Sequence, residues 1–261
     1  MDKQAFVTGS FSNEQKLLLA RAYDLCMRAK TREIPTFTPF LNPSEQALVL
    51  SKCVKFTDLS VNTSGGYDGA ERRILSFSPF YNYDQTPPAF PICTIRIAAK
   101  DGSLFSHRDY LGSILSLGVK RETTGDIVLL DGCAYLFCEK NISDFFVQNL
   151  KKVSNTPVNA TLYDQAVTVP EHTRFRQVSQ TVSSMRLDCV VSAMANKPRA
   201  AAAQLIQSGM VQKNYSVAQS VSQQVSDGDI LSVRGVGKAV IATDGRRTKK
   251  DRVHITIKYY I

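Results

Sequence analysis

Arg186-Leu187-Asp188-Cys189-Val190-Val191-Ser192-Ala193-Met194, followed by Pro198-Arg199-Ala200-Ala201-Ala202-Ala203-Gln204-Leu205-Ile206, is the stretch on which the reading turns. Leu187, Val190, Val191 and Met194 fall at i, i+3, i+4 and i+7, the spacing that lays one apolar face along a helix. Arg186 and Asp188 flank that face at the helix start. Pro198 suits the first turn of a second helix, where a preset φ and a missing N–H are harmless. Arg199 follows near an N-terminus whose free amides favour phosphate. Ala202, Leu205 and Ile206 mark the inward side, and Gly209 suits a left-handed C-cap. Gly228-Asp229-Ile230-Leu231-Ser232-Val233-Arg234-Gly235 comes next.

The charge points to the same end of the chain. Residues 1–90 and 91–180 each carry ten Lys/Arg against nine Asp/Glu, whereas residues 181–261 carry twelve against five. Thus +7 of the formal +9 lies in the last 81 residues. A basic domain joined to near-neutral ones is the electrostatic footprint of a polyanion partner, and nucleic acid is the first to consider. Arg246-Arg247-Thr248-Lys249-Lys250-Asp251-Arg252 places five cations in seven residues between the apolar runs Ala239–Ala242 and Val253–Ile257. On a hairpin tip, these side chains would follow a phosphate backbone.

The six cysteines form no CxxC pair and no zinc-type Cys/His spacing, so they read as core filler in a reducing cytoplasm. Cys133 and Cys138, five apart on one strand, would point to opposite faces. There is no signal-peptide pattern and no apolar run of membrane-span length.

Three small α+β domains are expected. The first, 1–80, has a helix over Glu14–Lys30 with Leu18, Ala22, Leu25 and Met27–Ala29 on its buried side. A second helix begins near Ser44, a strand covers Val54–Val61, and Gly65-Gly66 marks a turn before the turn-rich stretch Pro79–Pro91. The second domain, 81–172, alternates as strand Ile92–Ala99, helix Arg108–Leu117, strands Ile127–Leu130 and Ala134–Cys138, helix Ile142–Val153 and a strand over Ala160–Val169. Asp131-Gly132 between the middle strands is a two-residue hairpin signal. The order β-α-β-β-α-β is that of ferredoxin-like and RNA-recognition folds. The aromatic signature of a true RNA-recognition motif is missing. Residues 171–184, rich in Gln, Ser and Thr, suit a linker to the third domain, 184–261.

No catalytic constellation emerges. Gly235-Val236-Gly237-Lys238 begins like a phosphate loop, yet Val240 replaces the third glycine. His107-Arg108-Asp109 copies a kinase triplet, but Ile114 stands where a metal-binding Asn belongs. His107, His172 and His254 lie far apart with no nucleophile pattern beside them. The expectation is a non-enzymatic protein without metal or cofactor.

The ordered set around Arg186, Pro198-Arg199, Gly209 and Gly228–Gly235 resembles the S4 domain, a small α-plus-β module that holds structured RNA. In such modules the arginine corresponding to Arg186 starts the RNA-facing surface and the aspartate orients its neighbours. The chain departs from the pattern at Pro198, where relatives carry Ser, and at Lys213-Asn214-Tyr215, where Tyr replaces a turn glycine. The segments Gly65-Gly66-Tyr67, Ala70-Glu71-Arg72-Arg73, His107–Leu115, Leu117–Glu122 and Gly125-Asp126-Ile127 are similar to the YlmH-type RNA-binding proteins of Gram-positive bacteria. The resemblance spans nearly the whole chain. It implies a cytoplasmic, non-enzymatic factor of ribosome-associated quality control. Such a factor binds rRNA of the split large ribosomal subunit and steadies peptidyl-tRNA while alanine is added to the stalled chain, beside other quality-control factors. By position it implies that Arg186, Lys197, Arg199, Lys213, Asn214, Arg234 and Lys238 face rRNA or tRNA. His107, Arg108, Lys120 and Arg121 form a second candidate surface, with Asp109 and Glu122 as pairing partners. The alternatives are an S4-bearing pseudouridine synthase or methyltransferase, and a cell-division interaction protein.

Overall fold

The computed structural model describes residues 2–9, 11–80, 88–169, 175–218 and 220–260. His172 and part of the Pro79–Pro91 stretch lie outside them. Two compact units, Met1–Val169 and Pro170–Ile261, divide the chain.

The first unit opens with α1 (Lys3–Val7) and α2 (Asn13–Arg32), then β1 (Thr36–Phe37), α3 (Pro43–Cys53), β2 (Leu59–Ser64) and β3 (Ile74–Pro79). Ser12 and Gln15 close a reciprocal capping box on α2, as Asn42 and Glu45 do on α3. Each cap satisfies amides that the helix leaves free, a contribution of about 1 kcal/mol. The buried stripe of α2 is Leu19, Ala22, Cys26 and Ala29, so Leu18, Leu25 and Met27 sit at its margin. The strand expected at Val54–Val61 starts later, because α3 runs to Cys53 and Val54 is its exposed helical cap. β3 was not anticipated. It is buried at every position and forms the centre of the antiparallel sheet β1-β3-β2.

The unit continues with β4 (Ile92–Ala99), α4 (His107–Ser116), β5 (Thr124–Leu130), β6 (Cys133–Glu139), α5 (Ser143–Asn149), β7 (Lys152–Val153) and β8 (Thr156–Tyr163). The order β5-β6-β4-β8-β7, antiparallel throughout, is the ferredoxin-like arrangement with β7 added at one edge. Asp131 and Gly132 take φ 50 and 73, the left-handed pair that the hairpin requires. Cys133 and Cys138 do face opposite sides of β6. The helix expected to reach Val153 stops at Asn149, and the last strand begins at Thr156 instead of Ala160. Both differences come from the turn at Ser154, whose φ of 53 folds β7 back onto β8.

The second unit is β9 (Phe175–Val182), α6 (Leu187–Ala195), α7 (Arg199–Gln207), β10 (Val211–Lys213), β11 (Ser216–Val217), β12 (Ile230–Val233), β13 (Gly237–Ala242) and β14 (Val253–Tyr260). They build an antiparallel sheet in the order β11-β10-β12-β13-β14-β9. Leu187, Val190, Val191 and Met194 pack with Ile206 onto Leu231, Ile241, Ile255 and Ile257. The supposed linker is therefore largely wrong. Residues 175–182 pair with β14 over eight registers, from Phe175↔Tyr260 to Val182↔Val253. A strand with one face on the core needs few apolar residues, and here only Val178 and Val182 supply them.

Candidate RNA interface

α6 starts with Arg186 as N-cap and places Asp188 in the first turn, where its side chain is only 7% exposed. A buried carboxylate must be paired. Arg186 donates Nε and Nη2 to Asp188 at 3.2 and 3.1 Å, and the Cys189 amide donates at 3.0 Å. Arg199, arriving from the start of α7, donates Nε at 3.0 Å to the Oδ2 that its Nη2 approaches at 2.9 Å. Burial alone would raise the Asp188 pKa, but the bonds from both arginines outweigh it and bring it to about 2. The arginines stay 40% and 54% exposed, so one hidden carboxylate aims two guanidinium groups at solvent. Pro198 is the N-cap of α7, so the helix begins one residue later than expected, and no side chain caps it. Gly209 takes the expected left-handed φ of 71.

The other expected contacts divide by what their side chains already do. Lys197 is exposed in the α6–α7 turn and lines a groove of about 500 Å³ with Arg199 and Arg252. Arg234 is exposed in the β12–β13 turn. Lys238 lies over the rings of Tyr215 and Tyr260, 4.7 and 4.6 Å from their centroids. Lys213 is committed to the fold: only 15% exposed, it pairs with Asp229 at 2.9 Å and donates to the Gln224 carbonyl at 2.7 Å. Asn214 is committed as well, donating to Asp229 at 2.7 Å and accepting from the Ile230 amide at 2.9 Å. Both side chains take part in a brace around Asp229. The brace explains how the turn tolerates Tyr215. Asn214 and Tyr215 adopt φ of 48 and 66 without a glycine.

The basic run lies on the β13–β14 connection, as expected for a hairpin tip. Arg246 pairs with Asp244 at 3.1 Å and Arg247 with Asp251 at 2.7 Å, while Lys249 and Lys250 are exposed. Arg252 turns the other way, onto Thr181 of β9.

In the first unit, His107 and Arg108 begin α4 and, with Lys120, are exposed. Arg121 is half-buried. It donates to the Thr124 carbonyl and hydroxyl at 2.7 Å each and to the Gly125 carbonyl at 3.0 Å, and desolvation, then Arg72, lowers its pKa to about 10. Asp109 and Glu122 do not pair as expected. Asp109 caps α4 through Ser106, and Glu122 faces Arg21 at 4.0 Å.

The glycine-rich segment after β2 has a structural task. Tyr67 stacks on Phe137 at 4.8 Å and donates to Asp126 at 3.0 Å. Glu71 and Arg72 amides also bind Asp126, while the Arg72 guanidinium reaches the carbonyls of Phe40, Arg121 and Thr124. A Cβ on Gly66 would lie 2.4 Å from the Phe137 ring. Phe137, Tyr135 and Val128 are buried with Phe40 and Ile74. The sheet face on which an RNA-recognition fold stacks bases is thus covered from within the unit.

Comparison with known proteins accounts for all three segments. Residues 14–81 match a family model described as "YlmH, N-terminal", residues 89–166 one described as "Putative RNA-binding domain in YlmH", and residues 185–231 the S4 domain. The chain is also 31% identical over 222 residues to "Ribosome-associated protein quality control protein P2" of Bacillus subtilis (strain 168), covering 85% of this chain and 86% of the relative. The chain belongs to the YlmH family. A solved structure, "Cell division protein ylmH from Streptococcus pneumoniae", shares the fold of part of it, with a TM-score of 0.51 at 22% identity over 60% of this chain and 95% of that one. The S4 match ends at Leu231, so β9, β13 and β14 of this YlmH-family chain lie outside it.

Proposed function

We propose that this protein is a non-enzymatic RNA-binding factor of the cytoplasm that binds rRNA on the large ribosomal subunit. There it steadies peptidyl-tRNA while a stalled nascent chain is extended with alanine. The observation that carries the reading is the Arg186–Asp188–Arg199 cluster beside the Lys197 groove: guanidinium groups held in fixed geometry at the basic end of the chain. Fixed forks suit phosphate better than mobile charges, because less freedom is lost on binding. The family relative named for ribosome-associated quality control supplies the biological setting. No described helix is long and apolar enough to cross a membrane. His107 and His254 fall in different units, and no specific observation favours the enzymatic alternative.

The test is sedimentation of the purified protein with large subunits that carry peptidyl-tRNA and with empty ones. The reading predicts retention on both, stronger on the loaded particle. Absence from both particles defeats it, and equal retention on both removes the peptidyl-tRNA element.

A further inference from the structure

Three cations from three separate places in the chain converge on one groove: Lys197 in the α6–α7 turn, Arg199 at the start of α7, and Arg252 just before β14. The remaining lining is amide, hydroxyl, thiol and apolar, with no carboxylate among the described residues. Its far wall is the end of β9, from Gln180 to Val182, with Ser183 just beyond it. Arg252 is held there by neutral groups. Its Nε donates to the Thr181 hydroxyl at 3.1 Å and its Nη2 to the Thr181 carbonyl. Arg246 and Arg247 of the same loop instead face Asp244 and Asp251. A guanidinium has five N–H donors, so an anchor that takes two, one on the Thr181 hydroxyl and one on its carbonyl, fixes the plane and leaves three for an anion. The opposite wall is fixed just as firmly through Asp188.

We propose that Arg252 and the edge strand β9 form the second wall of an RNA-phosphate cleft, so that a phosphodiester segment is held from the helix side and the strand side together. This rests on the RNA-binding reading above and adds to it a contact outside the S4-matched residues. The ligand follows from the lining: cations and neutral donors with no carboxylate suit a polyanionic backbone, and the open groove suits a continuous chain better than a small metabolite.

The experiment measures binding of the full-length protein to a labelled RNA stem-loop across about 50–200 mM salt, where each phosphate contact contributes about 0.7–0.9 to the slope of log affinity against log salt. Arg252→Gln is expected to lower that slope by about one contact and to weaken affinity roughly five- to tenfold at the lower salt. Arg252→Lys, which keeps the charge without the fork, is expected to restore the slope. Thr181→Val should weaken binding by about two- to threefold while leaving the slope intact, because the charge remains but its orientation loosens. Thermal unfolding of each variant identifies a purely structural role. A slope unchanged in Arg252→Gln, with or without a fall in Tm, overturns the proposal. Loss of binding in Arg199→Glu alongside normal binding in Arg252→Gln discards the second wall and keeps the RNA-binding reading. A wild-type protein with no salt-dependent binding discards both.

Discussion

Replacing Asp188 by Asn keeps the shape of the side chain and removes the charge that holds Arg186 and Arg199 together. The bonds from the two arginines hold the folded carboxyl at a pKa of about 2, well below the ordinary 3.8. At 1.36 kcal/mol per unit, this corresponds to about 2 kcal/mol of stability. The folded pKa lies below the unfolded one, so the contribution is fully present above pH ~4 and is lost as pH falls through ~2. At pH 3 about half should remain. Urea unfolding of the full-length wild type and of Asp188→Asn, followed by circular dichroism, should therefore differ by about 2 kcal/mol at pH 7 and by about half that at pH 3. The variant should also bind RNA more weakly although it carries one negative charge fewer, because its arginines are no longer aimed. Equal unfolding free energies at pH 7, or a difference that does not shrink on acidification, would refute the assignment of Asp188 as organiser. Tighter RNA binding by the variant would show that local charge outweighs orientation at this site.

Arg121→Gln should destabilise the first unit by about 1–3 kcal/mol, since it removes the Arg121 donor from the Gly125 carbonyl and leaves the Thr124 carbonyl with Arg72 alone, yet leave the salt slope of RNA binding unchanged. A reduced slope would place Arg121 at the interface. Gly66→Ala puts a Cβ against Phe137 at φ 95, and thermal unfolding should show a loss of roughly 1–3 kcal/mol. A neutral result would mean that the segment is not locked onto the central sheet. Lys250→Glu at the exposed loop tip should weaken binding to stem-loop RNA by less than Arg199→Glu does, because an exposed mobile lysine contributes little by itself. The reverse order, in a filter-binding titration, would move the interface onto the loop.

Periodicity made the C-terminal helices legible in the sequence: Leu187, Val190, Val191 and Met194 are all buried where the spacing puts them. The Asp131-Gly132 turn and the β-α-β-β-α-β order were legible for the same local reasons. What escaped were elements whose identity depends on neighbours. β9 reads as a polar linker until β14 pairs with it, and β3 reads as nothing until its neighbours bury both its faces. Site residues followed the same rule. Residue type marks Arg121, Lys213 and Asn214 as binding groups, but each side chain is already committed to local partners. The pairing of Arg186 and Arg199 through Asp188 spans two helices, so no local pattern reveals it, although an aspartate in a basic segment is the kind of residue that organises cations.

If the Arg186–Asp188–Arg199 face anchors the protein to RNA on the large subunit, reversing one of its charges must release it. Co-sedimentation of folded Arg199→Glu with large subunits carrying peptidyl-tRNA tests it most directly, because the substitution removes a fixed cation and adds repulsion against phosphate. Wild type should travel with the particle, and the variant should stay at the top of the gradient at physiological salt. A variant that sediments like wild type would contradict the anchoring.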